Sequence, residues 1–564
     1  MKKYILSLIS LTSLYNCNLD RLPNDGVITE NVINSDVGLN QALNGVYEKL
    51  RGFTNSRDGL GSYGGITINM FRNGTFGADE INLSGTTTDP FMTYYDLVRN
   101  ESNARTNIAW NDGFQAIYSI NSILKNLPEG GGQQKDHLLG EAYYLRAFVN
   151  FNMLLHYSKM YYQGPGNLGI PLKKTVDEND RPLRATVGES YDAVVADLLK
   201  AESLMANDSK NNIKATQAAA QALLSRVYLY MDNNNNKALE YANKVINSGR
   251  YVLVPSSELP TYAGKVPEQN TETIFAFKFE NNPNMYSSDY ALGSMYIQIN
   301  GQGWGEMYAA DPYVRQLEMF PTDLRNKFIE KNYTSAKSPV VYWTEFKKNT
   351  SNYQYVFYPA TVNAQGVYTS FKINGTDYPI QTETLDYGGN SYEKKFAIIN
   401  GVKQYLTCDF SMNNRSGYPK FFVNKLSRQE GVSQLYSPVI SRLAEMYLIR
   451  AEVNARAGNV NEALLDINVI RRRANAPEFK YLPAGKNIMD IVLEERWLEL
   501  AYEGHRKFDL IRNKRPIDRR FPGVHLNEDR YKAGKEIIQP TDNDLVFVIP
   551  IREINNQPGL QQND

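Results

Sequence analysis

Residues that could perform acid–base chemistry are concentrated in the run EERWLELAYEGHRKFDLIR, from Glu494 to Arg512. Glu499 and Glu503 would lie one helical turn apart beside His505, a spacing that could serve a general acid and base. The alternative is a helix and a turn held by ion pairs between carboxylates and guanidinium groups, with Gly504 allowing a bend. Alternating charges on a helix usually pair or face water, which favours the structural interpretation.

Two carboxylates could also serve a glycoside hydrolase, because that pair requires no sequence motif. The candidate pairs are Asp79 with Glu80 and Glu499 with Glu503, although ordinary structural carboxylates are the simpler interpretation. The sequence contains no GxSxG, HExxH or CxxC motif and no phosphate-binding glycine loop followed by lysine. Its histidines, at positions 137, 156, 505 and 525, lack the spacing of metal ligands. We therefore expect no catalysis, no cofactor and no metal site.

Aromatic residues in the stretch 285–313 suggest binding instead. Flat rings beside amide and carboxylate groups suit a sugar, which offers a C–H face and a hydroxyl edge, and they would suit a peptide as well. The alternative is that many of these rings pack the core of an irregular region. The rings are those of Tyr286, Tyr290, Tyr296, Trp304, Tyr308 and Tyr313.

Composition excludes one class of partner. The 564 residues include 61 lysines and arginines and 61 aspartates and glutamates, so the net charge is zero. Nucleic-acid binding draws mainly on basic surfaces, so we expect none. Tyrosine is abundant, at 39 residues, which favours a surface for flat ligands or partners.

The first residues have the features of a targeting segment. Lys2 and Lys3 precede a short apolar run over residues 4–15, and Cys17 follows. The run is too short to span a bilayer and predicts a signal peptide over residues 1–16. A cysteine in this position is typical of a lipidated mature terminus, so we expect lipidation at Cys17 and a tether over 17–35. The residues just before it, at 14–16, depart from the small residues usual at such a site.

Hydrophobic periodicity predicts a mainly α-helical fold. We expect an N-terminal helical scaffold over residues 36–250, with helices at 36–51, 105–127, 136–162 and 187–205. The last of these should be capped near Thr186. Residues 52–103 hold no long periodic segment, and a connection of that length is usually functional, so we predict a ligand loop there.

Two helical pairs of similar sequence predict a repeat. Helices at 216–231 and 237–247 match helices at 442–457 and 462–473, and each unit has the ~34-residue length of a tetratricopeptide repeat. Between them, residues 251–435 predict a large irregular insertion with a few short strands, at 273–279, 353–358 and 395–399. Residues 436–564 would then form the C-terminal helical repeats and a tail.

Short motifs in a fixed order run through nearly the whole chain. They are CNLDRLP at 17–23, GADE at 77–80, NxxWxxxxxxIxxIN at 107–121, EAYYLRAF at 141–148, NLGIPL at 167–172, RLAEMYLIRAE at 442–452, ERWxELAYEGHRxFDLIR at 495–512 and IPIxEINxQPxL at 549–560. With these motifs the chain resembles the SusD/RagB family, surface lipoproteins that capture nutrients for TonB-dependent transporters at the Gram-negative outer membrane.

The resemblance implies a tetratricopeptide-like scaffold, a variable ligand-binding insertion and no catalytic activity. It implies a cell-surface lipoprotein that delivers oligosaccharide to a SusC-like TonB-dependent transporter; an oligopeptide-binding member and a glycoside hydrolase are the alternatives. The run Glu494 to Arg512 would then be structural, with Trp497 and Phe508 as anchors and with Arg506 and Asp509 holding the bend. The ligand-binding residues we predict are Arg72, Asn73, Asp79, Tyr94, Tyr95, Tyr290, Tyr296, Trp304 and Tyr308.

Overall fold

Helices form the frame of the molecule, which confirms the predicted mainly α fold. The computed structural model describes residues 36–52, 65–85, 89, 91–206, 208–232, 235–282, 291–348, 352–526 and 536–564. The predicted signal peptide, Cys17, its tether and Tyr290 lie outside these residues. The helices are α1 Asp36–Arg51, α2 Gly65–Thr75, α3 Met92–Asp96, α4 Ala104–Asn126, α5 Gln133–Tyr157, α6 Val187–Leu204, α7 Gln217–Tyr230, α8 Asn235–Asn247, α9 Gly293–Tyr296, α10 Asp311–Glu318, α11 Leu443–Arg456, α12 Val460–Arg473, α13 Ile488–Leu500, α14 Arg506–Arg512 and α15 Ile551–Asn556.

Helix α6 begins at the predicted cap. The Thr186 hydroxyl accepts a hydrogen bond from the Glu189 backbone N–H at 3.1 Å, and the Glu189 carboxylate accepts one from the Thr186 N–H at 2.8 Å. This reciprocal capping box satisfies two donors that a helix start would otherwise leave unpaired. In the part of the chain that the structure describes, no helix combines the length and the hydrophobicity that crossing a bilayer requires.

The two predicted helical pairs are present as α7 with α8 and α11 with α12. Ala238 and Ala463, the small residues at matching positions of the two pairs, are both fully buried. The pairs are tied together across α7 and α11, where Arg226 binds the Glu445 carboxylate with both contacts at 2.6 Å. The tetratricopeptide-like packing of this scaffold is therefore confirmed.

The predicted ligand loop, residues 52–103, contains a helix that the sequence did not indicate. Every residue of α2, GITINMFRNGT, is buried. This helix has only 11 residues and contains two glycines and two asparagines, which have low helix propensity, so its sequence does not indicate a helix. The loop interpretation is wrong for this part of the segment.

The insertion is more regular than the few short strands predicted. Seven antiparallel strands, β7 Pro339–Lys347, β8 Asn352–Val362, β9 Tyr368–Ile373, β10 Thr376–Pro379, β11 Gln381–Asp386, β12 Ser391–Ile399 and β13 Val402–Phe410, form one sheet in the order β10-β9-β8-β7-β13-β12-β11. We call it the curled sheet. The remaining strands form small pairs: β1 Ile81–Leu83 with β5 Met307–Ala309, β2 Leu168–Pro171 with β3 Arg184–Thr186, β4 Thr273–Ala276 with β17 Val439–Arg442, β6 Ile329–Lys331 with β16 Phe421–Val423, β14 Asn414–Arg415 with β15 Tyr418–Pro419, and β18 Ile517–Asp518 with β19 Ile537–Ile538.

The curled sheet folds around a core of its own. Its edge strands β10 and β11 are consecutive in the chain and are separated by Ile380 alone. The Tyr378 hydroxyl of β10 donates to the Asn400 side chain, beyond β12, at 3.3 Å. In a flat sheet with strands ~4.8 Å apart these strands would be far from each other, so the sheet must bend. The bend encloses Val341, Trp343, Phe371, Ala397 and Leu406.

Candidate functional site

The acid–base candidates lie inside a buried group of charges. Glu499 binds the Arg442 guanidinium at 2.6 Å and also pairs with Arg473. Glu503 binds Arg442 at 2.8 Å and the Lys425 ammonium at 2.5 Å. All five side chains are almost fully shielded from solvent.

The charges around these two carboxyls decide their protonation. Burial alone would raise the pKa of Glu503, but Arg442 and Lys425 outweigh it and lower that pKa to about 2. Burial would also raise the pKa of Glu499. The positive charges of Arg473 and Arg442 outweigh this effect, so the pKa of Glu499 too lies below its usual range. A glycosidic general acid needs a raised pKa and access to substrate. The arrangement is therefore structural, as the sequence indicated.

The turn between α13 and α14 is built on close backbone contact. Gly504 has φ +79°, and a Cβ there would lie 3.1 Å from the Phe71 Cα. A Cβ on Gly74 of α2 would overlap the Gly504 carbonyl group. Across the bend, Asp509 accepts hydrogen bonds from the Arg496 guanidinium at 2.8 and 3.0 Å, as predicted for a residue that holds the bend.

Two residues that we predicted to bind ligand, Asp79 and Asn73, instead join α2 and the loop after it to the start of α14, and a third, Arg72, is buried. The Asp79 carboxylate accepts two hydrogen bonds from Arg506, both at 2.8 Å. Asn73 accepts one from the Lys507 ammonium at 2.6 Å. Arg72 is 1% exposed. Because these groups are enclosed and engaged, their predicted ligand role stays a prediction that the structure does not support.

The predicted anchors Trp497 and Phe508 lie in the main core. The Arg506 guanidinium stacks over the Trp497 ring, 4.2 Å from its centroid, while Phe508 is 1% exposed. Arg506 thus faces the anchor on one side and Asp79 on the other. This side chain fastens the loop after α2 to the helical repeats.

The two regions predicted to hold ligand meet in the strand pair β1–β5. Its register joins Ile81 to Ala309 and Leu83 to Met307. In an antiparallel pair, the chain after Leu83 and the chain before Met307 leave from the same end. The sequence placed both regions near a ligand but could not show that they touch.

Four of the predicted rings are buried in the core, Tyr308 as part of β5 itself and Tyr95 in contact with β1. The Tyr95 hydroxyl accepts a hydrogen bond from the Leu83 N–H at 3.2 Å and lies 2.9 Å from Nδ1 of His525. The other rings pack against Phe547, Phe76 and Phe422. The four, Tyr94, Tyr95, Tyr296 and Tyr308, are at most 1% exposed.

A buried ring has no face free for stacking, so these four rings pack the core in place of the surface platform that we predicted. Their direct contact with ligand stays a prediction that their burial does not support. Glycine- and asparagine-rich sequence around them suggested exposed loops, whereas the loops are folded back onto the scaffold.

One predicted residue, Trp304, lies at the open end of the strand pair. Its ring is partly buried against the core, and its backbone N–H donates to the Ser294 carbonyl at 2.7 Å. Two residues later, the Glu306 carbonyl accepts hydrogen bonds from the Ser84 N–H at 3.1 Å and hydroxyl at 2.9 Å. The Glu306 carboxylate pairs with Arg415 of β14 at 2.7 Å.

We call Trp304, Glu306 and Arg415 the Trp304 ledge; Ser84 is fully buried and holds the backbone of Glu306 in place. The ledge combines a partly buried indole with a carboxylate and a guanidinium group that is 43% exposed. A ring for an apolar face beside polar groups for hydroxyls suits a sugar. Sequence reasoning missed the two polar residues, because only the fold brings Arg415 of β14 to Glu306.

Metal ligands are not gathered in the described ranges, where His, Cys, Asp and Glu form no group of three or more that could hold an ion. The ledge is thus described by its ring and its polar side chains alone.

Two family models match this chain, one in its N-terminal part and one in its C-terminal part. The model described as "SusD family" matches residues 271–564, and the one described as "Starch-binding associating with outer membrane" matches residues 19–229. SusD-like protein P25 of Formosa agariphila is 22% identical over 589 residues, covering 100% of this chain and 98% of its own. SusD-like protein P2 of the same organism is 23% identical and covers 96% of each chain.

Solved structures share the fold. A SusD superfamily protein from Bacteroides thetaiotaomicron aligns with a TM-score of 0.68 at 21% identity, covering 95% of this chain and 100% of that one. A SusD superfamily protein from Bacteroides vulgatus aligns with a TM-score of 0.67 at 22% identity, covering 94% and 98%. A SusD-like carbohydrate binding protein from Bacteroides vulgatus aligns with a TM-score of 0.58 at 18% identity, covering 86% and 84%.

Proposed function

Because this chain belongs to the SusD family, we propose that it is a cell-surface lipoprotein that binds a glycan and delivers oligosaccharide to a SusC-like TonB-dependent transporter. The observation that carries the glycan proposal is the Trp304 ledge, where a partly buried indole lies two residues before a carboxylate that pairs with a guanidinium group of β14. The matching model for residues 19–229, with its starch-binding description, supports the same ligand class.

The ledge suits capture rather than hydrolysis. Glu306 is engaged by Arg415 at 2.7 Å, and this pair can orient a hydroxyl as acceptor and donor. The indole supplies the stacking surface on which a sugar ring would lie. Binding would then need no movement of the strand pair, since backbone hydrogen bonds already fix the loop before β5.

The test is calorimetry against a panel of oligosaccharides and oligopeptides, with wild type and Trp304→Ala. A stacking ring should be worth ~1 kcal/mol or more, which is about fivefold in affinity. Tyr481→Ala is the matched control, since that ring is 53% exposed and lies in another part of the chain. Glycan binding that is unchanged in Trp304→Ala would remove the ledge from the proposal.

Other results would change the ligand class or the activity. Binding of oligopeptides with no binding of any glycan would favour the oligopeptide-binding alternative. Release of new reducing ends from a polysaccharide by the purified protein would favour a hydrolase. Each outcome is separate from the question of which residues form the site.

Anchoring at Cys17 and delivery to a transporter are proposed from family membership. Metabolic labelling with a fatty-acid analogue should label the wild type and leave Cys17→Ser unlabelled. The full-length protein, extracted from its own outer membranes in mild detergent, should co-purify with a TonB-dependent transporter. Recovery without any transporter, under conditions that preserve other membrane complexes, would contradict the delivery proposal.

A further inference from the structure

A second concave site lies on the helical scaffold, away from the Trp304 ledge. It is a groove of about 490 Å³ between α4, α5 and the segment that follows β2. Such a volume is within the range of small-ligand sites, ~300–1,000 Å³. A smaller cavity of about 140 Å³ adjoins it, sharing Arg146 and Lys174. We call the two together the basic groove.

The floor of the basic groove is fixed before any ligand arrives. The Arg146 guanidinium donates to the Asp197 carboxylate at 2.7 and 2.8 Å and to the Asn121 side-chain oxygen at 2.9 Å. Asn121 in turn donates to the carbonyls of Lys173 at 3.1 Å and Thr175 at 3.4 Å. These bonds tie the loop to both helices, so the groove is preorganised.

The rim carries unbalanced positive charge. The charged side chains that line the two cavities are four cations, Lys125, Arg146, Lys173 and Lys174, and two carboxylates, Asp177 and Asp197. Arg146 is neutralised by Asp197, and the Lys173 ammonium is held by the carbonyls of Asp177 and Asp180. Lys125 and Lys174 are exposed and form no ion pair among the described residues.

The excess of positive charge at the basic groove is a local feature. The whole chain has no net charge, and another groove of similar size, about 480 Å³ beside Tyr333, is lined by two lysines and two glutamates. An anion would gain more at the basic groove than at that groove, because the ammonium groups of Lys125 and Lys174 are exposed and form no ion pair among the described residues.

Apolar and aromatic surface accompanies the two ammonium groups. The Tyr143 ring is partly buried, with the Arg146 guanidinium 5.3 Å from its centroid, and Leu124 and Val176 also line the groove. A ring and two aliphatic side chains suit the C–H face of a sugar. Docking of a protein partner is less well matched, because a stable protein interface buries ~1,000 Å² or more, and this groove of about 490 Å³ has the size of a small-ligand site.

Resting on the proposed glycan-binding function, we propose that the basic groove binds acidic sugar units, in which a carboxylate or a sulfate ester is held by Lys125 and Lys174 while the ring lies against Tyr143. The glycan captured by this protein would therefore be an acidic one. Trp304 and the basic groove would contact the same class of polymer at two separate places.

The experiment is calorimetry on the full chain with three probes: a neutral oligosaccharide, an oligogalacturonate and a sulfated galactan oligosaccharide. Lys125→Glu combined with Lys174→Glu should weaken binding of at least one acidic probe by about tenfold or more at low ionic strength. Added salt should reduce the wild-type affinity for that probe and have little further effect on the double variant. Lys372→Glu, an exposed lysine on the curled sheet, is the matched control and should bind as wild type.

The two acidic probes distinguish carboxylate from sulfate, and either one supports the proposal if its binding depends on the lysines. Equal binding of the acidic probes by wild type and the double variant would overturn it, as would acidic-peptide binding that depends on the same lysines in the absence of glycan binding. Trp304-dependent binding of neutral sugars with no binding of either acidic probe would end this inference alone. No binding of any glycan would end the proposed function as well.

Discussion

Arg442 is the residue on which the buried charges of this scaffold converge. Its guanidinium group contacts Glu499 at 2.6 Å, Glu503 at 2.8 Å and Glu272 at 3.1 Å, and all four side chains are at most 4% exposed. Removing one partner of a buried ion pair leaves an uncompensated charge, which costs far more than the pair contributes. The group is therefore sensitive to single neutral substitutions.

Glu503→Gln should destabilise the protein by about 3–5 kcal/mol, because Arg442 and Lys425 would lose a buried counter-charge. Glu330→Gln is the control, since Glu330 pairs with Arg428 at 38% and 37% exposure and should cost about 1 kcal/mol or less. Urea denaturation followed by circular dichroism measures both. Similar losses of unfolding free energy in the two variants would contradict the claim that a buried ion pair is more sensitive to substitution than an exposed one.

The same carboxyl makes stability depend on pH. The pKa of Glu503 is about 2 in the folded protein and 4.5 ordinarily, so the unfolded chain takes up the proton first as pH falls. Its contribution, roughly 3 kcal/mol, is complete above pH 4.5 and is lost as pH falls towards 2. Unfolding free energies measured across this window should fall less steeply for Glu503→Gln than for wild type. Parallel curves would contradict the assignment.

At the scale of elements, the contact between α2 and the turn after α13 depends on two glycines. Gly74→Ala should be strongly destabilising, because its Cβ would overlap the Gly504 carbonyl group and push the two elements apart. Gly45→Ala in the exposed face of α1 meets nothing within 4 Å and should stabilise the protein by about 0.5–1 kcal/mol. Thermal melts of the two variants should shift in opposite directions.

The long helices of the scaffold could be predicted from sequence, whereas the buried helix α2 and much of the curled sheet could not. Helices such as α6 bury one face and begin at a capping residue, so the hydrophobic periodicity and the cap predict the same helix. The strands of the sheet carry tyrosine, threonine and lysine on partly exposed faces, which weakens their alternation. A usable signal was present at the hairpins, where Asn374–Gly375 and Asn400–Gly401 have positive φ at both turn residues. Asn-Gly between strands is a strong hairpin signal.

Part of the candidate site could also be predicted. Trp304 was recognisable from its type and its glycine-rich surroundings, and the structure leaves it at the open end of β1–β5. Tyr94 and Tyr296 have the same kind of local sequence, but tertiary packing encloses them. Arg415 was not recognisable, because it reaches the ledge only through the pairing of β14 with β15. Whether an aromatic side chain is exposed depends on contacts with residues far away in the sequence, which the local composition does not reveal.

At the scale of the whole molecule, the curled sheet enters and leaves the scaffold at one point. The Ser411 N–H donates to the Ser338 carbonyl at 2.7 Å, and Pro339 is directly opposite Phe410. Replacing residues 339–410 by two glycines should leave a folded but less stable protein. Its helical circular dichroism signal should persist, and Trp304-dependent glycan binding should remain. Loss of the helical signal would show that the scaffold needs the sheet in order to fold.

The adjacency of Ser338 and Ser411 has a consequence for the evolution of the protein as well as for its folding. A segment whose two ends already touch can lengthen, shrink or be exchanged between lineages without changing the register of the helices that flank it. Selection to keep the fold would then act less strongly on this segment than on the helical frame around it. Relatives should accordingly diverge fastest between these two serines, and a comparison of substitution rates inside and outside residues 339–410 would measure that.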